Sequence, residues 1–197
     1  MIGADLLIMD NSKETLETAL KMNIKLIGSP NASIVKKIEN NLILVPRKLE
    51  YDIDTLKPSR KTLIAYKPTN RADARRAGKI GNIAILFDND NIALCDEKQA
   101  NIMRGKHNYI EIILRDLLID DRSNKYIRNM IRCIRYAYRS GIPILLSSGA
   151  KNRWELWHPK TLVIIEKLFI GRRGILTLSW IEVFRKWNPS ILSKLSS

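Results

Sequence analysis

A chain of 197 residues, 45% hydrophobic and 27% charged, is long enough to form one domain with a sizeable core and is not disordered by composition. Its 34 Lys and Arg against 20 Asp and Glu give a formal net charge of +14, which favours a nucleic acid or an anionic membrane surface as partner over an acidic protein. The N-terminal apolar stretch lacks a cationic region and soon meets acidic and polar residues. It therefore predicts neither a signal peptide nor a membrane span. The sequence instead predicts a cytoplasmic protein.

Apolar runs of strand length alternate with amphipathic stretches along the chain, which favours an α/β fold with strands covered on both faces. The predicted strands are residues 2–9, 24–28, 42–45, 62–66, 83–87, 109–114 and 142–147. The predicted helices are residues 12–22, 31–40, 71–79, 96–104, 123–139 and 159–169. Residues 175–179 form either an eighth strand or the entry to a last helix at 179–186.

Seven strands with interleaved helices are most simply arranged as a closed or nearly closed barrel. A (β/α)₈ barrel takes about 250 residues, so this chain predicts a trimmed TIM-like barrel formed by residues 1–197 as a single domain. A doubly wound open sheet is the structural alternative.

The cysteines and histidines offer no recognisable metal or disulfide pattern. Cys95 and Cys133 lie far apart and outside any CxxC spacing, so we predict neither a disulfide framework nor a zinc site, as fits a reducing cytosol. His107 and His158 are the two histidines of the chain and form no HxH or HExxH motif. The sequence thus predicts no His-rich metal site and no bound cofactor.

Three acids near predicted strand ends, Asp5, Asp88 and Glu111, are the remaining candidates for a metal site built from carboxylates. Buried acids more often pair with an arginine such as Arg115, and we favour that reading. No GxGxxG, P-loop or GxSxG motif is present, so the sequence indicates neither a nucleotide-binding fold nor a serine nucleophile.

Positive charge is concentrated in the second half of the chain. Residues 1–100 carry 16 basic and 13 acidic side chains, net +3, and residues 101–197 carry 18 and 7, net +11. The predicted helix at 123–139 has an apolar face of Ile127, Met130, Ile131, Ile134, Ala137 and Tyr138. Its arginines recur at three- and four-residue steps and form one line at the edge of that face: Arg128, Arg132, Arg135 and Arg139. We name these four residues the arginine stripe. Either it is a solvated helix face, or it recognises phosphates, which the arginine fork matches in geometry.

The next strand ends in Ser147, Ser148 and Gly149, with Lys151 and Arg153 close behind. Sites of barrel proteins lie at the C-terminal ends of the strands, where hydroxyls and backbone amides bind anions. An ordinary connecting loop is the simpler interpretation of the same residues.

Three segments resemble protein component 3 of archaeal ribonuclease P: GADLLIMD at 3–10, YIEIILRDLL at 109–118 and GIPILLSSGAKNRWELWHPKTLVIIEKLFIG at 141–171. The residues that carry the resemblance are Ile110, Glu111, Ile112, Leu114, Arg115, Leu146, Ser147, Ser148, Gly149, Ala150, Glu155, Leu156, Pro159 and Gly171. The resemblance implies a TIM-like barrel related to the PHP and amidohydrolase-like barrels but without their metal site.

The resemblance further implies a subunit that binds the catalytic RNA and helps it remove the 5′ leader from precursor tRNA, with catalysis by RNA and magnesium and not by this chain. The implied partners are ribonuclease P RNA, precursor tRNA within the complex, protein component 2 in a heterotetramer and the other ribonuclease P proteins. The predicted RNA-binding residues are Arg115, Arg128, Arg132, Arg135, Arg139, Ser148, Lys151, Arg153, Arg172 and Arg173. The alternative function is a stand-alone metal-dependent TIM-barrel phosphoesterase.

Overall fold

A computed structural model describes residues 3–38, 41–119, 123–171, 176 and 178–196. The strands are β1 (Gly3–Asp5), β2 (Ile24–Ser29), β3 (Lys36–Ile38), β4 (Leu42–Glu50), β5 (Leu63–Tyr66), β6 (Ala84–Phe87), β7 (Tyr109–Ile113) and β8 (Ile144–Ser147). The α-helices are α1 (Lys13–Lys21), α2 (Arg71–Ile80), α3 (Glu97–Met103), α4 (Asp116–Ile119), α5 (Ser123–Arg139), α6 (Pro159–Ile170), α7 (Ser179–Trp187) and α8 (Ser190–Ser196).

Seven of the strands form a nearly closed parallel barrel in the order β1, β2, β4, β5, β6, β7, β8, and β3 pairs antiparallel with β4. Beyond the ends of β8 and β1, a parallel bridge between Ile8 and Ala150 joins the two ends of the sheet. The Gly149 N–H donates to the Leu7 carbonyl at 2.9 Å, and the Met9 N–H donates to the Ala150 carbonyl at 2.8 Å. The predicted trimmed barrel is therefore confirmed as a single α/β barrel.

The seven strands of the barrel are largely buried on both faces, as their continuous apolar runs predict, whereas β3 is mostly exposed. In β8, Leu145 packs inside the barrel, whereas Ile144 and Leu146 pack outward in the cluster that contains Met130 and Ile134 of α5. This alternation follows from the two-residue period of a strand. The outward side chains pack against helices such as α5, which form an outer layer around the barrel.

Helices α7 and α8 cover the N-terminal opening of the barrel. Val183 and Phe184 of α7 and Ile191 of α8 are buried in the same cluster as the inward side chains of the strands. The prediction of a last helix at 179–186 is confirmed by α7, since Ser179 begins that helix. The alternative strand at 175–179 falls partly outside the described residues.

The predicted helix at 31–40 is wrong, because Lys36–Ile38 form β3 and pair with Leu42–Leu44 of β4. Asn31 after Pro30 resembles a helix start, but the Asn31 side-chain amide instead donates to the Met9 carbonyl at 3.0 Å. Ile34 and Val35 are β-branched and favour an extended chain.

The expectation of no disulfide is also wrong, since Cys95 and Cys133 are joined by one. Cys95 follows a 3₁₀ turn at Ile92–Leu94, Cys133 lies in the middle of α5, and their Cα atoms are 5.3 Å apart. Both are buried in the outer core. Cysteine usage therefore gives no support to a reducing compartment.

No helix in the described part of the chain is long and apolar enough to span a membrane.

Candidate nucleic-acid interface

The inward face of α5 determines where its arginines point. Its most deeply buried residues are Tyr126, Met130, Cys133, Ile134 and Ala137. The predicted apolar face is rotated relative to this one, because Tyr126 and Cys133 are buried whereas Tyr138 is 39% exposed. The Tyr126 hydroxyl donates to the Ile113 carbonyl at 2.5 Å, which fixes the start of the helix against β7.

This rotation turns the arginine stripe directly away from the barrel instead of placing it at the edge of the core face. Arg128, Arg132, Arg135 and Arg139 are all exposed. None of them forms an ion pair with a residue that the structure describes. The stripe is about 16 Å long at 1.5 Å per residue. Four adjacent guanidinium groups repel one another, so an anion placed along the stripe is stabilised by all of them.

The loop after β8 uses its donors inside the protein. The Ser147 hydroxyl donates to the Glu111 carboxylate at 2.6 Å, and the Ser148 N–H donates to the Asp5 carboxylate at 3.0 Å. The Ser148 hydroxyl accepts from the Ala150 N–H at 3.1 Å. Ser148 is 1% exposed, so in this structure its hydroxyl does not reach the surface where it was predicted to contact RNA. The loop closes the barrel.

Gly149 is essential to this closure. Its φ is +66°, and a Cβ at this position would lie 2.7 Å from Cγ2 of Ile113. Glycine adopts this left-handed conformation with less strain than any other residue, and a side chain would also push β7 away.

Arg115 and Glu155 form an ion pair at the C-terminal end of β7. The Arg115 Nε lies 2.9 Å from a Glu155 oxygen, and the Arg115 side chain is 26% exposed. Glu155 also accepts from the backbone N–H of Lys151 and from the side-chain amide of Asn152. Arg115 is therefore a weaker phosphate ligand than its charge alone suggests.

Lys151 and Arg153 lie on the turn between β8 and α6. Lys151 is exposed. Arg153 is 3.3 Å from Glu14 of α1, and its guanidinium lies 4.5 Å from the ring centre of Trp154, which is 79% exposed. An exposed tryptophan beside two cations is a suitable surface for base stacking.

The structure does not bring this turn and the arginine stripe into one patch. The turn packs against α1, whereas the stripe lies on α5, and α6 comes between these two helices in the order around the barrel. Arg172 and Arg173, also predicted to bind RNA, lie outside the described residues.

A buried polar network occupies the barrel interior. Arg47 of β4 pairs with Glu111 of β7, and its Nη1 donates to the Tyr109 hydroxyl at 3.3 Å. Burial raises the pKa of Asp5 to about 6, while hydrogen bonds from Ser148 and Leu7 and the charge of Arg47 oppose the shift. Arg47 was not among the predicted site residues, because it lies two positions after the predicted strand at 42–45.

The three candidate metal-binding carboxylates have other partners. Glu111 pairs with Arg47 and not with Arg115, and Asp5 accepts from backbone N–H groups. Asp88 is half-buried and lies 2.5 Å from the ammonium group of Lys67. In the ranges that the structure describes, no group of three or more His, Cys, Asp or Glu is arranged to hold a metal ion.

No protein-family model and no curated protein sequence matches the chain.

Proposed function

We propose that this chain is an RNA-binding protein subunit of ribonuclease P, which helps the catalytic RNA remove the 5′ leader from precursor tRNA. The observation that carries the proposal is the arginine stripe, an exposed row of four guanidinium groups on α5 without an ion pair to a described residue. Residues 109–171, which resemble protein component 3, contain this helix.

The proposed mechanism is electrostatic. Phosphates of a folded RNA repel one another, and guanidinium groups held at fixed spacing on a helix lower that repulsion and release counterions. The chemistry of cleavage belongs to the RNA and its magnesium ions. In this proposal the chain acts in the cytoplasm with protein component 2 and the other subunits, and its barrel is akin to the PHP and amidohydrolase-like barrels.

Three features argue against a catalytic role for the C-terminal end of the barrel. Ser147 and Ser148 donate to carboxylates within the protein, and Arg115 pairs with Glu155. Glu111 is paired with Arg47 in the interior. The polar groups nearest the expected position of a barrel active site are thus bound to one another.

Reconstitution tests the proposal. Purified chain alone should leave precursor tRNA intact, and the same chain added to ribonuclease P RNA with the other protein subunits and magnesium should raise the rate of 5′ cleavage. Omission of this chain from the complete mixture is the matched control. Cleavage of precursor tRNA by the chain alone, or a rate that is the same with and without it, would overturn the proposal.

The phosphoesterase alternative predicts a different result from the same preparation. A metal-dependent enzyme should bind stoichiometric metal and hydrolyse a simple phosphodiester without RNA. Elemental analysis and a phosphodiester assay of the purified chain separate the two functions.

A further inference from the structure

The two ends of the barrel differ strongly in charge. The C-terminal ends of the strands lead into loops and helix starts that carry acids, among them Asp10, Glu14, Asp54, Asp73, Asp88, Asp90, Asp96, Asp116 and Glu155. Six cations at this end are paired with those acids: Lys67 with Asp88 and Asp90, Arg71 and Arg75 with Asp96, Arg76 with Asp54 and Asp73, Arg115 with Glu155, and Arg153 with Glu14. Lys98, Lys125, Lys151 and Lys160 are exposed there and form no ion pair with a described residue.

The opposite end, where helices lead back into strands, is basic. Five described connections reach it, residues 21–25, 57–62, 79–83, 104–108 and 139–143, and their sequences contain no Asp or Glu. Their exposed cations are Lys21, Lys57, Arg60, Lys61, Lys79, Arg104, Lys106 and Arg139, and none of these forms an ion pair with a described residue. We name these eight residues the basic end.

Several of these connections touch one another. The Asn82 N–H donates to the Lys106 carbonyl at 3.3 Å. The Asn101 side-chain oxygen accepts from Arg104 at 3.2 Å and from Ser140 at 3.3 Å. The connections that carry Lys79, Arg104, Lys106 and Arg139 are therefore neighbours and form one continuous surface.

Helix dipoles explain part of this arrangement, because cations are favourable in the last turn of a helix. That explanation covers Lys21 of α1, Lys79 of α2 and Arg139 of α5. It does not cover Arg60 and Lys61, which lie in the loop before β5, or Lys106, which follows α3. The cations outside helices indicate a partner with negative charge.

A pocket of about 270 Å³ opens on this end, between the loop before β5 and helix α7. It is lined by Pro58, Ser59, Arg60, Asn82, Lys186 and Trp187. The Trp187 indole N–H donates to the Ser59 carbonyl at 2.7 Å, and its ring makes an edge contact with Phe184 at 5.5 Å between ring centres. The indole is thus held in place on the wall of the pocket.

The pocket combines groups that recognise an unpaired nucleotide. An aromatic ring stacks on a base, an asparagine side chain can hydrogen-bond to a base edge, and Arg or Lys contacts phosphate. Trp187, Asn82 and Arg60 provide one of each. Lys186 adds a second cation, whose ammonium group lies 2.7 Å from a carboxylate oxygen of the exposed Glu182.

We infer that the N-terminal end of the barrel is a second RNA-binding surface, on which single-stranded RNA follows the basic end and places one unpaired nucleotide in the pocket beside Trp187. This inference rests on the proposed RNA-binding function. It assigns to RNA the end of the barrel opposite to the one where barrel active sites lie.

Two double variants, each of which removes two positive charges, test the surface. The probe is a short single-stranded oligouridine. Lys79→Ala with Lys106→Ala removes two charges from the basic end. Lys13→Ala with Arg71→Ala removes two from exposed side chains at the opposite end. The first variant should bind oligouridine roughly fivefold to tenfold more weakly. Its slope of log affinity against log salt should flatten by about 0.7 for each cation lost. The second variant should bind as the unchanged chain does.

Photocrosslinking with an oligonucleotide that contains thiouridine tests the pocket without any substitution. Crosslinks should map to Trp187 or to residues 58–61 and 81–82. Crosslinks confined to residues 124–135 of α5 and to the turn at 151–154, or equal weakening by the two double variants, would overturn the inference.

Absence of oligouridine binding by the unchanged chain would also overturn the inference and would leave an acidic protein as the occupant of the basic end. The assay contains no ribonuclease P RNA and measures no cleavage. If reconstitution fails while the basic-end variant alone loses oligouridine binding, the proposed function is wrong and the second surface stands.

Discussion

Asp5 is an acid inside the barrel whose protonation is linked to folding. Burial raises its pKa from 3.8 to about 6. Because the folded-state value lies above the unfolded one, its contribution to stability is fully present below pH 3.8 and is lost as the pH rises through about 6. At neutral pH, the buried carboxylate of Asp5 therefore lowers the free energy of unfolding.

The variant Asp5→Asn should remove this pH dependence while its side-chain oxygen still accepts from Ser148 and Leu7. Between about pH 4 and about pH 8, the free energy of unfolding of the variant should rise relative to the unchanged chain by roughly 2 kcal/mol. Urea unfolding of both proteins at the two pH values measures the difference. Parallel pH profiles would show that Asp5 does not titrate in this range.

Gly149 combines a left-handed backbone with a close contact, and Gly141 provides a matched comparison. Gly141 has a φ of +67°, but no atom lies within 4 Å of the position of its missing Cβ. We expect Gly141→Val to cost about 1 to 2 kcal/mol through backbone strain alone. Gly149→Val should cost roughly 2 kcal/mol more, because its side chain overlaps Ile113 and opens the closure between β8 and β1. Equal unfolding midpoints for the two variants would contradict the closure role of Gly149.

The arginine stripe lies on a single helix, α5. Replacing Arg132 and Arg135 by Ala keeps a high helix propensity and leaves Met130, Cys133 and Ile134 in place, so the thermal midpoint should change little. Affinity for ribonuclease P RNA should fall, and the slope of log affinity against log salt should flatten by roughly 0.7 to 0.9 per arginine.

The control for the stripe is Lys160→Ala with Lys167→Ala on α6, which removes the same charge from exposed positions of the neighbouring helix. Equal loss of RNA affinity in the control would mean that net charge alone drives binding. Loss of binding to protein component 2 with RNA binding unchanged would assign the stripe to that protein instead.

The disulfide between Cys95 and Cys133 links the segment after β6 covalently to α5, across a sequence separation of 38 residues. Closing a loop of this length restricts the unfolded chain and should contribute about 3 to 4 kcal/mol to the free energy of unfolding. Cys95→Ala with Cys133→Ala should lower the urea midpoint accordingly, and reductant should lower the midpoint of the unchanged chain by a similar amount. A midpoint that is insensitive to reductant, together with two free thiols in the folded protein, would show that the bond is absent.

Much of the architecture was predictable because the signals are local. The apolar run at 142–147 and the periodic run at 123–139 correspond to β8 and α5, since burial on both faces and burial on one face leave different periodicities in a sequence. The segment at 31–40 was predicted incorrectly because its helix-like start competes with β-branched residues, and pairing with β4 decides the outcome.

The candidate site was predictable in part. That α5 carries a row of arginines follows from their spacing, but that the row faces away from the barrel depends on how Tyr126 and Cys133 pack. Ser148 was predicted to be a surface donor, but its N–H donates to Asp5, which lies 143 residues earlier in the chain. A hydrogen bond over that separation leaves no periodic signal.

The amino-acid sequence is sufficient to predict the alternation of strands and helices, the excess of positive charge and the line of arginines, because each depends on residue type and local spacing. Tertiary structure is needed to establish that Arg47 pairs with Glu111, that Cys95 bonds to Cys133, and that the eight cations of the basic end share one end of the barrel. These features join residues far apart in the chain. Their energies come from burial, dielectric and loop closure, which exist only once the barrel has brought the segments together.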